Sequence, residues 1–175
     1  LPLSFKEYVA GTGSRTNLSR KYADYISFSS FPYVLEIEAE PERLDYLNGI
    51  YSTIVLKDIV SRNKVADVTM LESVIRFVAD NIGNILSTKR IADTMTSAGR
   101  KMDVKTVEKF LSYLQESFVI YRADRYNIKG MQYLKTLEKY YLVDMGLRRL
   151  LLGSRNFDAG RILENIVYLE LIRRK

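Results

Sequence analysis

The chain has no cysteine and no histidine among its 175 residues. The first absence removes disulfides and thiolate metal sites, and it fits a cytoplasmic protein. The second removes more chemistry. No Ser-His or Cys-His nucleophile pair can be built, and the common imidazole zinc sites are excluded. Any catalysis would rest on carboxylates, lysines, tyrosines or a metal held by oxygen. No run of about 18 apolar residues occurs, so no membrane-spanning helix is expected. The start lacks the basic and apolar regions of a signal peptide. Phosphate-cradling loops are missing too: there is no G-x-x-x-x-G-K-[ST] and no G-x-G-x-x-G, and Gly11-Thr-Gly13 is too short and lacks a following lysine. The expectation is a chain with no nucleotide site or other cofactor of its own.

What remains is an apolar fraction of 47%, enough for a core, and a net charge of +6 that is unevenly spread. Residues 1–84 carry 9 basic and 11 acidic groups, residues 85–140 carry 11 and 6, and residues 141–175 carry 7 and 4. The positive excess therefore lies in the second half, where it would attract phosphate backbones and release counterions on binding.

That second half has the outline of a winged helix. Thr69-Met-Leu-Glu72 reads as a capping box opening a helix with Leu71, Val74, Ile75, Val78, Ala79 and Ile82 on one face. A second helix starts at Thr88 with Ile91, Ala92 and Met95 inward. A third follows Asp103, its N-cap, with Val104, Val107, Phe110, Leu111, Leu114 and Phe118 on one side. Strand patterns run through Val119–Tyr121 and Tyr140–Val143. At 100° per residue, Lys105 and Lys109 fall opposite the apolar stripe of the third helix, with Thr106 and Tyr113 on its flank. Lys101 precedes that helix, and Lys129 falls on the wing with Arg122 and Arg125. Lysines are point charges suited to backbone contacts. Gln115 is the only residue of base-reading type in the helix, so any binding is expected to show weak sequence preference. Tyr121, Tyr126, Tyr133, Tyr140 and Tyr141 cluster around the wing, where aromatics can stack on bases or, by strand alternation, fill a core.

Upstream, helices are expected over residues 4–10 and 17–28, broken at Phe31-Pro32. A long helix runs from Pro41 to about Arg62. Downstream, a short helix spans Gly146–Leu152, and Asp144 is placed to cap it. A last helix from Asp158 is apolar nearly all round, which expects burial on several sides or a homo-oligomer contact. The chain starts at Leu1 and stops within a helical pattern, which predicts a piece of something larger. The fold class expected is mainly α (α+β): a helical linker region plus a winged-helix domain with a small β-hairpin wing.

Six blocks carry a family resemblance. They are Leu1-Pro-Leu-Ser-Phe-Lys-Glu-Tyr8, Tyr51-Ser-Thr-Ile-Val-Leu-Lys-Asp58, Asp80-Asn-Ile-Gly-Asn84, Asp103-Val-Lys-Thr-Val107, Lys139-Tyr-Tyr-Leu-Val-Asp-Met-Gly-Leu147 and Gly160-Arg-Ile-Leu-Glu-Asn-Ile-Val-Tyr-Leu-Glu170. In this order they resemble the C-terminal half of a family of bacterial and archaeal predicted AAA+ ATPases. The family's usual Gly-Gly-Phe-Pro is here Ser29-Ser30-Phe31-Pro32, a departure from its glycine turn. The resemblance implies a helical linker over residues 1–66 after an ATPase core, a winged helix over 67–153, and the first helix of a truncated nuclease-like domain over 154–175. It implies ATP and Mg for a parent protein, an N-terminal ATPase domain and a C-terminal nuclease-like domain as neighbours, and Glu164 as one member of an incomplete nuclease-like site. The function expected is a nucleic-acid-binding or coupling module, non-catalytic in itself, with duplex DNA as partner and Lys101, Lys105, Thr106, Lys109 and Lys129 in contact. The alternative is a protein-interaction scaffold with no DNA contact.

Overall fold

The computed structural model describes residues 1–127, 132–153 and 158–174; the side chains of 55–56 and 126–136 also lie outside the description. Lys129 is therefore outside the described residues.

The first half is helical. Helix α1 (Phe5–Gly11) opens with a capping box in which Ser4 and Glu7 satisfy each other's backbone N–H groups. Helix α2 covers Leu18–Phe28. A 3₁₀ turn at Pro32–Glu36 follows the Phe31-Pro32 break. Helix α3 (Glu40–Tyr51) has proline in its first turn, where no N–H is needed. It continues through π-type turns at Ser52–Ile59 into α4 (Val60–Asn63). The long helix expected from Pro41 is thus one continuous rod with a widened centre.

The second half has winged-helix order: α5 (Val68–Asp80), β1 (Ile85–Leu86), α6 (Thr88–Ser97), α7 (Val104–Glu116), β2 (Ile120–Asn127) and β3 (Gln132–Leu142). The strands form an antiparallel sheet ordered β1-β3-β2. The fold is mainly α with this small sheet, as its periodicities indicate. Two local expectations need correction. Helix α5 is capped by Asp67, whose carboxylate accepts the Met70 N–H at 2.8 Å, and not by Thr69; a carboxylate also complements the positive helix end, which a hydroxyl does not. Strand β1 has only two residues, too short to leave a pattern, and pairs Ile85 with Lys139 and Leu86 with Glu138.

Helices α8 (Met145–Leu152) and α9 (Ala159–Arg173) complete the chain. One buried cluster joins Tyr8, Tyr25, Leu47, Leu71, Leu114, Leu142, Leu151 and Ile162, so the core runs across the borders at 66/67 and 153/154. Asp144, the cap of α8, ties the halves together. Its carboxylate accepts from the Ser30 N–H at 2.7 Å, the Ser30 hydroxyl at 2.6 Å and the Leu147 N–H at 3.0 Å. Burial pushes its carboxyl upward, against the pull of these bonds. Ser29 adopts φ +101, a conformation usually left to glycine. The approach it allows is close: a Cβ on Gly146 would stand 2.5 Å from the Ser29 nitrogen. The glycine-like turn therefore exists here without the glycines. Among the described residues no helix is long and apolar enough to cross a membrane.

Candidate nucleic-acid interface

Helix α7 is amphipathic because its apolar residues recur three and four apart. Val107, Phe110, Leu111 and Leu114 are buried on one side. Lys105, Glu108, Lys109, Ser112 and Glu116 are exposed on the other, and Thr106 is half-buried at the edge. Asp103 fixes where the helix starts by accepting the Thr106 N–H at 2.7 Å. That bond, more than any other cause, holds its carboxyl below the usual range; the charge of Lys109 adds to the effect. Lys101 is exposed just before the cap. Strand β2 packs beside the helix; Lys105 and Lys109 are exposed on the helix's outer face, with Lys101 exposed before its cap and Thr106 at its edge.

Neighbouring basic residues divide into exposed and engaged. Lys89 and Arg90 are exposed at the start of α6. Arg100 is turned back onto α5, where its guanidinium donates to the Thr69 carbonyl at 3.0 Å and to the Ser73 hydroxyl. Arg122 pairs with Asp124 at 2.9 Å within β2. Gln115 donates to the Leu111 carbonyl at 3.0 Å, so the one amide of base-reading type is held along its own helix. Tyr140 and Tyr141 are buried and Tyr121 is half-buried. These three serve the core and not an open stacking platform; the side chains of Tyr126 and Tyr133 are outside the description.

One neighbour was missed in the sequence. The end of α4 and the connector to α5 run past α7 and leave a groove of about 370 Å³ lined by Asn63, Lys64, Asp67, Thr106, Lys109 and Tyr113, among others. A signal was available: the connector between the last residues of one helix and the cap of the next is short, which forces Lys64 close to whatever α5 packs on. Its partner on α7, distant in sequence, was not readable.

Glu164 lies elsewhere, on the inner side of α9. Its carboxylate accepts from Lys139 Nζ at 2.8 Å and from the Tyr141 hydroxyl at 2.7 Å, and Tyr141 stacks on Tyr168 with ring centroids 4.0 Å apart. The hydrogen bond from Lys139 is the main reason its carboxyl sits below the ordinary value. Gly83 packs against it: a Cβ there would lie 3.2 Å from the carboxylate. Among the described residues no group of three or more carboxylates could hold a metal ion. Glu164 fastens α9 to the base of the hairpin.

Comparison with known proteins gives a family but no activity. A family model described as a domain of unknown function (DUF8612) matches residues 19–158. An uncharacterised protein of Haemophilus influenzae is 41% identical over 99% of this chain and 44% of its own length. An uncharacterised protein of Methanocaldococcus jannaschii is 26% identical over 99% of this chain and 41% of its own length. The chain thus spans less than half the length of these relatives. No solved structure matches it. These findings overturn the expected membership of an AAA+ ATPase family: the matching family has no assigned function, and neither relative is described as an ATPase. The physical reason is that three of the six blocks lie in elements that pack on one another. Asp80–Asn84, Lys139–Leu147 and Gly160–Glu170 meet around Glu164 and the end of β3, so they report a shared scaffold and not an activity. ATP, Mg and the ATPase and nuclease-like neighbours, all drawn from that resemblance, lose their basis with it.

Proposed function

We propose that this chain, which belongs to the family described as a domain of unknown function (DUF8612), binds duplex DNA through the outer face of α7. It holds the duplex by the phosphate backbone, with weak sequence preference. The observation that carries this reading is a helix buried on one face and bearing exposed Lys105 and Lys109 on the other, set in a winged-helix frame. Lys101 and Thr106 extend the contact at the helix start; Lys129, outside the described residues, is kept as a further contact on its sequence position alone. Lysine contacts add affinity without reading bases. Gln115 is engaged within its own helix, which leaves this face without an amide directed outward. The compartment that fits such a role is the cytoplasm.

Charge reversal tests it. Lys105→Glu combined with Lys109→Glu should weaken binding of a random-sequence duplex by about tenfold or more in moderate salt, since two phosphate contacts become repulsions. Fluorescence anisotropy reads the change, and circular dichroism checks that the exposed substitutions leave the fold intact. Unchanged affinity would end the reading.

A second reading, an interaction scaffold, has its own observation. Leu163, Val167 and Leu171 form an exposed stripe along α9, spaced four apart as a helix-packing seam is. On that reading the protein binds other polypeptide through α9, and the double substitution on α7 changes nothing.

A further inference from the structure

The exposed face of α7 is not symmetrically charged. Taking Lys105 as the centre, 100° per residue places Lys109 about 40°, Tyr113 about 80° and Thr106 about 100° to one side. Glu108 lies about 60° to the other; Glu116, exposed at the far end of the helix, lies about 20° to the first side, so the asymmetry belongs to the first turns, around the groove. The basic side is also the side on which the connector after α4 runs alongside, and the groove between them is walled by Lys64 on one bank and by Thr106, Lys109 and Tyr113 on the other. Lys64, Thr106, Lys109 and Tyr113 thus border one open space. One acid, Asp67, lines it as well; its carboxylate accepts the Met70 N–H as the cap of α5.

A helix seated in a major groove about 12 Å wide nearly fills it, so the two sugar-phosphate strands pass along its flanks. The flank bearing Glu108 repels them; the flank bearing Lys109 faces the groove that Lys64 also lines. Lys64 holds the left-handed conformation, φ +48, which ends α4 and turns the connector along the edge of that groove.

We infer that the groove between the α4–α5 connector and α7 is a phosphate-binding edge, in which Lys64 joins Lys109 in holding one strand of the duplex. This rests on the DNA-binding reading and adds a contact outside the winged helix: the helical region that precedes it takes part in the grip.

The test is Lys64→Glu in the full chain, with Lys6→Glu as a control of equal charge change on the exposed side of α1. Binding of a random-sequence duplex is measured across a salt series. Lys64→Glu is expected to weaken binding about fivefold or more beyond the control and to lower the salt slope by roughly 0.9, the loss of one phosphate contact. If Lys64→Glu and Lys6→Glu behave alike while Lys105→Glu with Lys109→Glu abolishes binding, the groove is not an edge of the site and the inference fails alone. If the unsubstituted chain does not bind the duplex at low salt, both fall.

Discussion

At the scale of single residues, the chemistry-bearing groups divide into those that face solvent and those consumed by the fold. Glu164 belongs to the second kind. Lys139 holds its carboxyl below the ordinary value of 4.5, so the sign of its contribution follows. A group whose folded value is depressed stabilises the fold above its unfolded value and loses that contribution as pH falls through the folded one. Both partners are more than a third exposed, so the ion pair is worth below about 1 kcal/mol. Glu164→Gln is expected to lower the urea midpoint slightly at pH 7, and the gap is expected to close as pH falls through the depressed folded value of the carboxyl. A gap that persists unchanged at low pH would mean that the pair contributes nothing through its charge. The exposure of Lys105 and Lys109 was legible in the sequence, since helical rotation alone puts them opposite the apolar stripe. The engagement of Arg100 with α5 and of Glu164 with Lys139 was not. Each joins residues more than twenty apart, and no local pattern encodes such a meeting.

At the scale of elements, the open edge of β3 explains how so short a sheet is completed. Strand β1 covers only Glu138 and Lys139. Beyond it, the Gly83 N–H donates to the Tyr140 carbonyl at 3.1 Å. At Leu142 the buried Asn165 of α9 takes over: its amide oxygen accepts the Leu142 N–H and its amide nitrogen donates to the Leu142 carbonyl, both at 2.8 Å. A side chain here does the work of a paired strand. Asn165→Ala would leave a buried N–H and C=O without partners, costing about 2 kcal/mol or more. Chemical denaturation should show this as a lower midpoint with little change in slope, while Asn165→Ala that melts like the unsubstituted protein would show that the edge is satisfied in another way. The helices were legible because α5, α6 and α7 repeat their apolar residues at the helical period. Asp103 and Asp144 were legible as caps because a short acidic side chain precedes an apolar run. The reach of the hairpin was not: the pattern marked only Val119–Tyr121 and Tyr140–Val143, whereas β2 and β3 extend over Ile120–Asn127 and Gln132–Leu142. A register shift lies between Ala123 and Arg125, which interrupts a strict alternation along β2.

At the scale of the whole molecule, a single buried cluster joins the N-terminal helices to the winged helix through α8. The Asp144 carboxylate, the Ser29 turn and the close approach of Gly146 fix that junction. At the end of α4 Arg62 donates to the Ser117 hydroxyl just past α7 at 2.8 Å, and the connector that follows forms the second bank of the groove beside α7. The exposed stripe on α9 lies on another element, so the two candidate functions occupy different surfaces and can be separated by experiment. Their separation was partly readable in the sequence, since charge concentrates in residues 85–140 and apolar residues wrap α9. Which apolar positions of α9 stay exposed depends on how it docks on β3, and no period of α9 alone could tell.

The most direct test of the central claim is the affinity of the unsubstituted chain for a random-sequence duplex as a function of salt. If Lys101, Lys105 and Lys109, with or without Lys64, each contact one phosphate, log K falls linearly with log[salt] with a slope of about −2.7 to −3.6. Absent binding at low salt, or a slope near zero, would contradict that claim.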